Sequence, residues 1–158
     1  VKTKQGIEYQ CRIKGKLRLD NLQSTNPLAV GDIVEFDLEN KEKSNSGIIN
    51  QICERKNYIL RKSVNLSKQT HILAANIDIL FLVITLNNPV TTTNFIDRFL
   101  ISSNAYSIDT ILLFNKIDSY NKDQILEIEK LINIYTKIGY KCIKISATEN
   151  LNINKIAP

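Results

Sequence analysis

Thr110-Ile111-Leu112-Leu113-Phe114-Asn115-Lys116-Ile117-Asp118 is an apolar run that gives way abruptly to a polar tetrapeptide. A short apolar run without alternation is the pattern of a strand buried on both faces of a parallel sheet. The pattern recurs on both sides. Ile77 to Thr85 is an earlier run of the same kind, and Tyr140 to Ile145 is a later one. Between the first two runs, Asn87-Asn88-Pro89 reads as a turn and Thr91 to Thr93 as helix N-cap candidates. Phe95, Ile96, Phe99, Leu100 and Ser103 then recur at helical spacing up to about Tyr106. Between the second and third runs, Ile125, Leu126, Ile128, Leu131, Ile132, Ile134, Tyr135 and Ile138 mark a long amphipathic helix that starts at Asn121 and stops at Gly139. The order β-α-β-α-β predicts a parallel sheet with right-handed crossovers, which binds ligands beyond the C-terminal ends of its strands.

Two short motifs fall at those ends. Asn115-Lys116-Ile117-Asp118 follows the second strand, and Ser146-Ala147 follows the third, 28 residues after Asp118. The first matches the N-K-x-D pattern of guanine recognition, and the residue types suit the base. Guanine presents N1–H and N2–H donors on one edge, and the Asp118 carboxylate can accept both. The Asn115 amide can donate to N7 and also tie neighbouring loops together. The Lys116 stem can lie along the flat face of the base. A backbone N–H from Ser146-Ala147 can meet O6 and select against adenine, whose amino group would face it donor to donor. In a chain this rich in Asn and Lys, chance supplies about 0.09 copies of N-K-x-D, so its position at a strand end carries more weight than the match itself.

The phosphate half of such a site is missing. The only Gly-Lys is Gly15-Lys16, followed by Leu17 and without the upstream glycine of G-x-x-x-x-G-K-[ST]; no Asp has a Gly three places on. In an ordinary GTPase both motifs precede N-K-x-D. Here the upstream residues follow strand patterning instead, so the domain is either degenerate or permuted, with the phosphate motifs after Pro158.

From Val1 to about Arg61 the pattern is that of a small β-barrel. Ile7, Tyr9, Cys11 and Ile13 alternate with Glu8, Gln10, Arg12 and Lys14. Val30-Gly31-Asp32 is a turn opening a strand from Ile33 to Leu38. Asn40 to Gly47 reads as a hairpin loop, Ile48 to Ile52 as a strand, and Tyr58-Ile59-Leu60 as the last one. About 60 residues suits a five-stranded OB-type barrel, a nucleic-acid-binding architecture, and an SH3-like barrel fits the pattern as well. The domain reading is therefore an OB barrel over 1–62, a polar linker over 63–75 holding the lone His71, and the first part of an α/β nucleotide-binding domain over 76–158.

Charge is lopsided in the same way. Residues 1–75 hold 13 Lys/Arg and 8 Asp/Glu, whereas residues 76–158 hold 8 of each, so the whole excess of +5 lies in the first half. Arg12, Lys14, Lys16 and Arg18 fall two apart and share one face if the strand continues. Arg55, Lys56, Arg61, Lys62 and Lys68 form a second cluster. Both are candidates for phosphate-backbone contact, against the plainer reading of a solvated barrel face. Tyr9 and Tyr58 could stack on bases or simply pack.

Composition excludes several classes. With 43% hydrophobic residues, the chain is no disordered tail. The longest apolar run is too short to span a bilayer, and no signal-peptide pattern opens the sequence. Cys11, Cys53 and Cys142 are widely spaced, with no C-x-x-C pair, no disulfide framework and no metal-ligand spacing, which points to a reducing, cytoplasmic setting. The chain has no methionine, even at position 1, and so reads as part of a longer translation product.

Taken together these residues resemble the RsgA family (also called YjeQ or EngC), circularly permuted GTPases that depend on the small ribosomal subunit. The resemblance rests on Val30-Gly31-Asp32-Ile33-Val34, on Arg55 to Arg61, on Ala74 to Asp78, on Phe95-Ile96-Asp97-Arg98-Phe99-Leu100, and on the order of Asn115–Asp118 and Ser146-Ala147. It implies an OB barrel followed by a GTPase domain in which N-K-x-D and Ser-Ala come before the P-loop. It further implies binding of GTP or GDP with Mg²⁺, binding of 16S rRNA and the 30S subunit, action late in 30S maturation as a monomer, and a zinc-binding domain at the C-terminus. The P-loop, switches and zinc ligands would lie after Pro158, so this segment alone is expected to be inactive. The competing reading is a non-catalytic RNA-binding barrel with a vestigial nucleotide domain. Asp97 and Arg98 read as a helix-surface pair or a contact to the barrel rather than as catalytic groups.

Overall fold

A computed structural model describes residues 1–15, 27–39, 45–62 and 70–156. The chain divides into two compact units, Val1–Ile77 and Asp78–Pro158.

In the first unit, β1 (Gln10–Ile13), β2 (Val34–Leu38) and β3 (Ser46–Ile52) form one sheet in the order β1-β3-β2, and β4 (Tyr58–Lys62) and β5 (Thr70–Ala75) form an antiparallel ribbon. The sequence reading assigned no partners to these strands, and β1 pairs in parallel with β3; the long connection between them permits this, because a parallel partner needs a crossover rather than a tight turn. Two outcomes differ from that reading. First, residues 70–75, assigned to the linker, are strand β5, whose His71 lies opposite Arg61 in the ladder. Second, Ser46 and Gly47 belong to β3 rather than to the hairpin loop. Among the described residues the ladders do not close into a barrel; a parallel bridge from Val30 to Ala74 links β5 to the turn before β2.

That turn explains Val30-Gly31-Asp32. Gly31 has φ +88°, and a Cβ there would sit 2.1 Å from the Ala75 carbonyl oxygen, so only glycine fits. The Ala75 N–H donates to the Val30 carbonyl at 2.9 Å. Nearby, the buried Asn57 amide donates to the Ile77 carbonyl (2.8 Å) and accepts from the Ile77 N–H (2.7 Å).

The second unit follows the predicted order: β6 (Ile79–Ile84), α1 (Thr93–Ala105), β7 (Asp109–Phe114), α2 (Lys122–Lys137) and β8 (Lys141–Lys144). The sheet is all parallel, ordered β6-β7-β8. Thr92 caps α1 by accepting from the Phe95 N–H, and Asn121 and Gln124 form a reciprocal capping box at the start of α2. Past α2, Gly139 (φ +98°) supplies the left-handed residue that ends the helix. Leu82, Ile84, Leu112 and Phe114 pack on one sheet face with Ile96, Leu100, Ile128 and Tyr135 of the helices. Burying such side chains contributes about 1.5–3 kcal/mol each. The other face is covered by Ile153 and Ile156 over Leu113, Ile143 and Ile145. The β6 run, expected to be buried on both faces, is buried on one only. Ile79, Phe81 and Val83 are exposed, because that cover lies over β7 and β8. Among the described residues no helix is long and apolar enough to cross a membrane.

Candidate functional site

The C-terminal ends of the three parallel strands converge on one cluster of loops. At the end of β7 the Asn115 N–H donates to the Ile84 carbonyl of β6 (2.9 Å), and the Ile117 N–H donates to the Ile145 carbonyl beyond β8 (3.3 Å). These bonds fix the tetrapeptide across the sheet. Lys116 then takes the left-handed conformation (φ 65°), and a 3₁₀ turn follows over Ile117–Ser119. The Ser119 hydroxyl closes that turn by donating to the Lys116 carbonyl at 2.8 Å. Asp118 is thereby held in a tight turn with its carboxylate exposed.

Asn115 joins the two motifs. Its Oδ1 accepts from the Lys116 N–H at 2.8 Å and from the Ala147 N–H at 3.2 Å. With the carbonyl oxygen so occupied, Nδ2 is the atom left to donate outward. Ser146 is fully buried. Its N–H and C=O exchange hydrogen bonds with Leu151 (3.1 and 2.9 Å), and its hydroxyl accepts from the Glu149 N–H at 3.1 Å. A buried position with room for one small hydroxyl explains why serine stands there. The structure also qualifies the O6 donor. Ser146 N–H is committed inside its own loop, and Ala147 N–H points at Asn115, so the exposed Ala147 holds the more releasable of the two donors.

Beside these loops lies a cleft of about 420 Å³ lined by Asn87, Asn88, Lys116, Asp118, Ser119, Tyr120, Gln124 and Thr148. Its size and mixed donors and acceptors fit a planar purine. The Lys116 ammonium donates to the Asn88 carbonyl at 2.5 Å, and both residues line the cleft. Sequence reasoning missed Asn88, Tyr120 and Thr148 as lining residues; the turn at Asn87-Asn88-Pro89 was legible, but its proximity to Lys116 is a tertiary fact. Among the described residues no three His, Cys, Asp or Glu side chains come together to hold a metal ion.

The basic candidates separate. Arg12 and Lys14 are exposed on β1 and just beyond it, as the alternation predicts, but Arg12 is ion-paired with Glu39. Arg55 is mostly buried and makes two hydrogen bonds to Asp32 (2.6 and 2.7 Å) and one to the Pro27 carbonyl (3.0 Å). Burial would raise the Asp32 carboxyl, yet the Arg55 guanidinium and the Ala29 N–H outweigh it and hold Asp32 below the ordinary carboxylate range. Arg55 thus fastens the turn before β2. Lys56 is exposed, and its backbone N–H donates to the Asn76 side chain. Arg61 and Lys62 are placed by their backbone in β4. Lys16, Arg18 and Lys68 lie outside the described residues. Tyr9 stacks obliquely on Phe36 with centroids 5.3 Å apart, a packing contact. Asp97 is no bare surface group: it accepts from the buried Tyr135 hydroxyl at 2.9 Å and joins α1 to α2.

Known proteins match both halves of the chain. The model of the RsgA GTPase domain matches residues 52–158, and that of the RsgA N-terminal domain matches residues 1–49. The chain belongs to the RsgA family. Curated relatives include the small ribosomal subunit biogenesis GTPase RsgA of Christiangramia forsetii, 55% identical over 99% of this chain and 50% of that protein. The protein of the same name from Flavobacterium johnsoniae is 54% identical over 99% of this chain and 48% of that protein. Among solved structures, YjeQ from Thermotoga maritima is 30% identical with a TM-score of 0.74, over 97% of this chain and 49% of that one. YloQ, described as a circularly permuted GTPase, is 28% identical with a TM-score of 0.63, over 94% of this chain and 46% of that one. The chain spans about half the length of the curated RsgA relatives it matches.

Proposed function

We propose that the protein is a GTPase of small ribosomal subunit biogenesis and that residues 1–158 supply its rRNA-facing and guanine-reading parts. The observation that carries the guanine reading is the Asn115 side chain bridging the Lys116 and Ala147 N–H groups, which ties the two motifs together beside the cleft that Lys116, Asp118 and Thr148 line. In that cleft Asp118 accepts N1–H and N2–H, Asn115 Nδ2 donates to N7, the Lys116 stem covers one face of the base, and Ala147 N–H turns from Asn115 to O6. Ile117 contributes through its backbone, which keeps the loop on the strand ends. The first unit is read as part of an OB-type barrel that meets 16S rRNA in the 30S subunit through Lys14, Lys56 and their basic neighbours, late in maturation and in the cytoplasm. GTP hydrolysis needs phosphate-binding groups and Mg²⁺ that these residues do not provide. Residues 1–158 alone are therefore expected to be inactive, while the full-length protein hydrolyses GTP faster with the subunit bound.

The test is a change of base preference. Asn at position 118 can donate to xanthine O2 and still accept N1–H, so Asp118→Asn in the full-length protein should weaken GDP and strengthen XDP binding in a competition titration. Unchanged preference would remove Asp118 from the site.

A further inference from the structure

The turn after β6 is more firmly built than a connection needs to be. Thr85 is buried, and its hydroxyl donates to the Pro89 carbonyl at 2.5 Å. Across the neck of the turn, the Thr85 N–H donates to the Thr91 hydroxyl (3.1 Å) and the Thr91 N–H to the Thr85 carbonyl (2.8 Å). The turn is then fastened to the tetrapeptide loop at two points. The Leu86 N–H donates to the Tyr120 hydroxyl at 2.9 Å, and Lys116 Nζ donates to the Asn88 carbonyl at 2.5 Å. Both residues of the second contact have left-handed backbones, φ 65° at Lys116 and φ 49° at Asn88. Asparagine adopts this region readily, but lysine seldom does, so the Lys116 conformation depends on support from its surroundings. The Tyr120 ring meanwhile packs against the core of the second unit, which gives its hydroxyl a fixed position.

We infer that Tyr120 is a positioning residue for nucleotide binding: through Leu86 it holds the Asn87-Asn88 turn so that the Asn88 carbonyl keeps the Lys116 ammonium extended along the cleft. The reading rests on the cleft being the guanine site. A lysine stem has several free torsions, and fixing them before the base arrives removes an ordering cost from binding. Tyr120 lines the cleft as well. Its positioning effect passes through the turn and the lysine, and this separates it both from direct contact with the base and from mere support of the fold.

The experiment is a cycle of Tyr120→Phe and Lys116→Met in the full-length protein, measured by release of GDP, beside Asp118→Asn as a check on the site. Phenylalanine keeps the ring in the core and deletes one hydrogen bond, so GDP release should quicken about threefold to tenfold. The amides of Leu86 to Asn88 should exchange hydrogen faster while those of β7 do not. In the Lys116→Met background, Tyr120→Phe should change release less than twofold, because the lysine through which it acts is gone. The same fold-change in both backgrounds, or none in either, overturns the inference. If Asp118→Asn leaves base preference unchanged, the guanine reading fails instead; if preference shifts while Tyr120→Phe is silent, only the positioning role is lost.

Discussion

At the scale of single residues, the clearest separation is between charge that is available and charge that is spent. Arg55 belongs to the basic cluster by sequence, yet its guanidinium serves Asp32, whose side chain is 2% exposed. Removing one partner of a buried ion pair leaves the other uncompensated, so Arg55→Ala should destabilise the first unit by about 3 kcal/mol, read by denaturant titration. The pH dependence has a definite sign. Asp32 is held below its ordinary value in the folded state, so its stabilising contribution is fully present above the unfolded carboxylate range, near pH 4, and is lost as pH falls through the lower folded value. Wild-type stability should decline on acidification below about pH 4, and Arg55→Ala should flatten that decline. Asn115 shows the opposite case. Its residue type and its place after a strand were enough to suggest a role in joining loops, because few side chains both accept two backbone N–H groups and keep a donor. Nothing in the sequence could pair Arg12 with Glu39 or Arg55 with Asp32, since both pairings join residues far apart in the chain.

At the scale of elements, the second unit was legible because its signals are local. Period and caps give α2 from Asn121, and the capping box is written in the spacing of Asn121 and Gln124. Asn121→Ala should therefore cost about 1 kcal/mol in thermal or chemical unfolding, with little change in the strands. A cost well below that would mean that the core under Ile128 and Tyr135 fixes the helix start without its cap. The first unit was less legible for the converse reason. Alternation located β1, and turn signals located β2 and β3, but these signals are silent about partners, and the parallel pairing of β1 with β3 has no local signature. The polar residues read as a linker hid β5, although its ladder partner β4 is the strand just before it in sequence. On β6 the apolar run was real, yet burial followed what lies over each face, which a run of hydrophobic letters does not encode.

At the scale of the whole molecule, the charge asymmetry divides along the line between the two compact units: the excess of +5 lies before residue 76 and the unit boundary lies at Ile77. An RNA partner gains affinity from such an excess by releasing condensed counterions, and the release is counted by the salt dependence of binding. The local pairings decide which residues should count. Arg12 already faces Glu39, and Arg55 faces Asp32, so neutralising either breaks an internal ion pair and confounds the reading of a salt slope. Lys14, exposed just past β1, is the cleaner probe. In the full-length protein, Lys14→Ala should weaken binding to the small subunit uniformly and lower the slope of log affinity against log salt by about one. The combined Arg12, Lys14 and Lys16 variant should lower it further, though by less than three such steps if Arg12 stays paired to Glu39 in the bound state. An unchanged slope in the triple variant would return this face to ordinary solvated charge and leave subunit recognition to other residues of the chain.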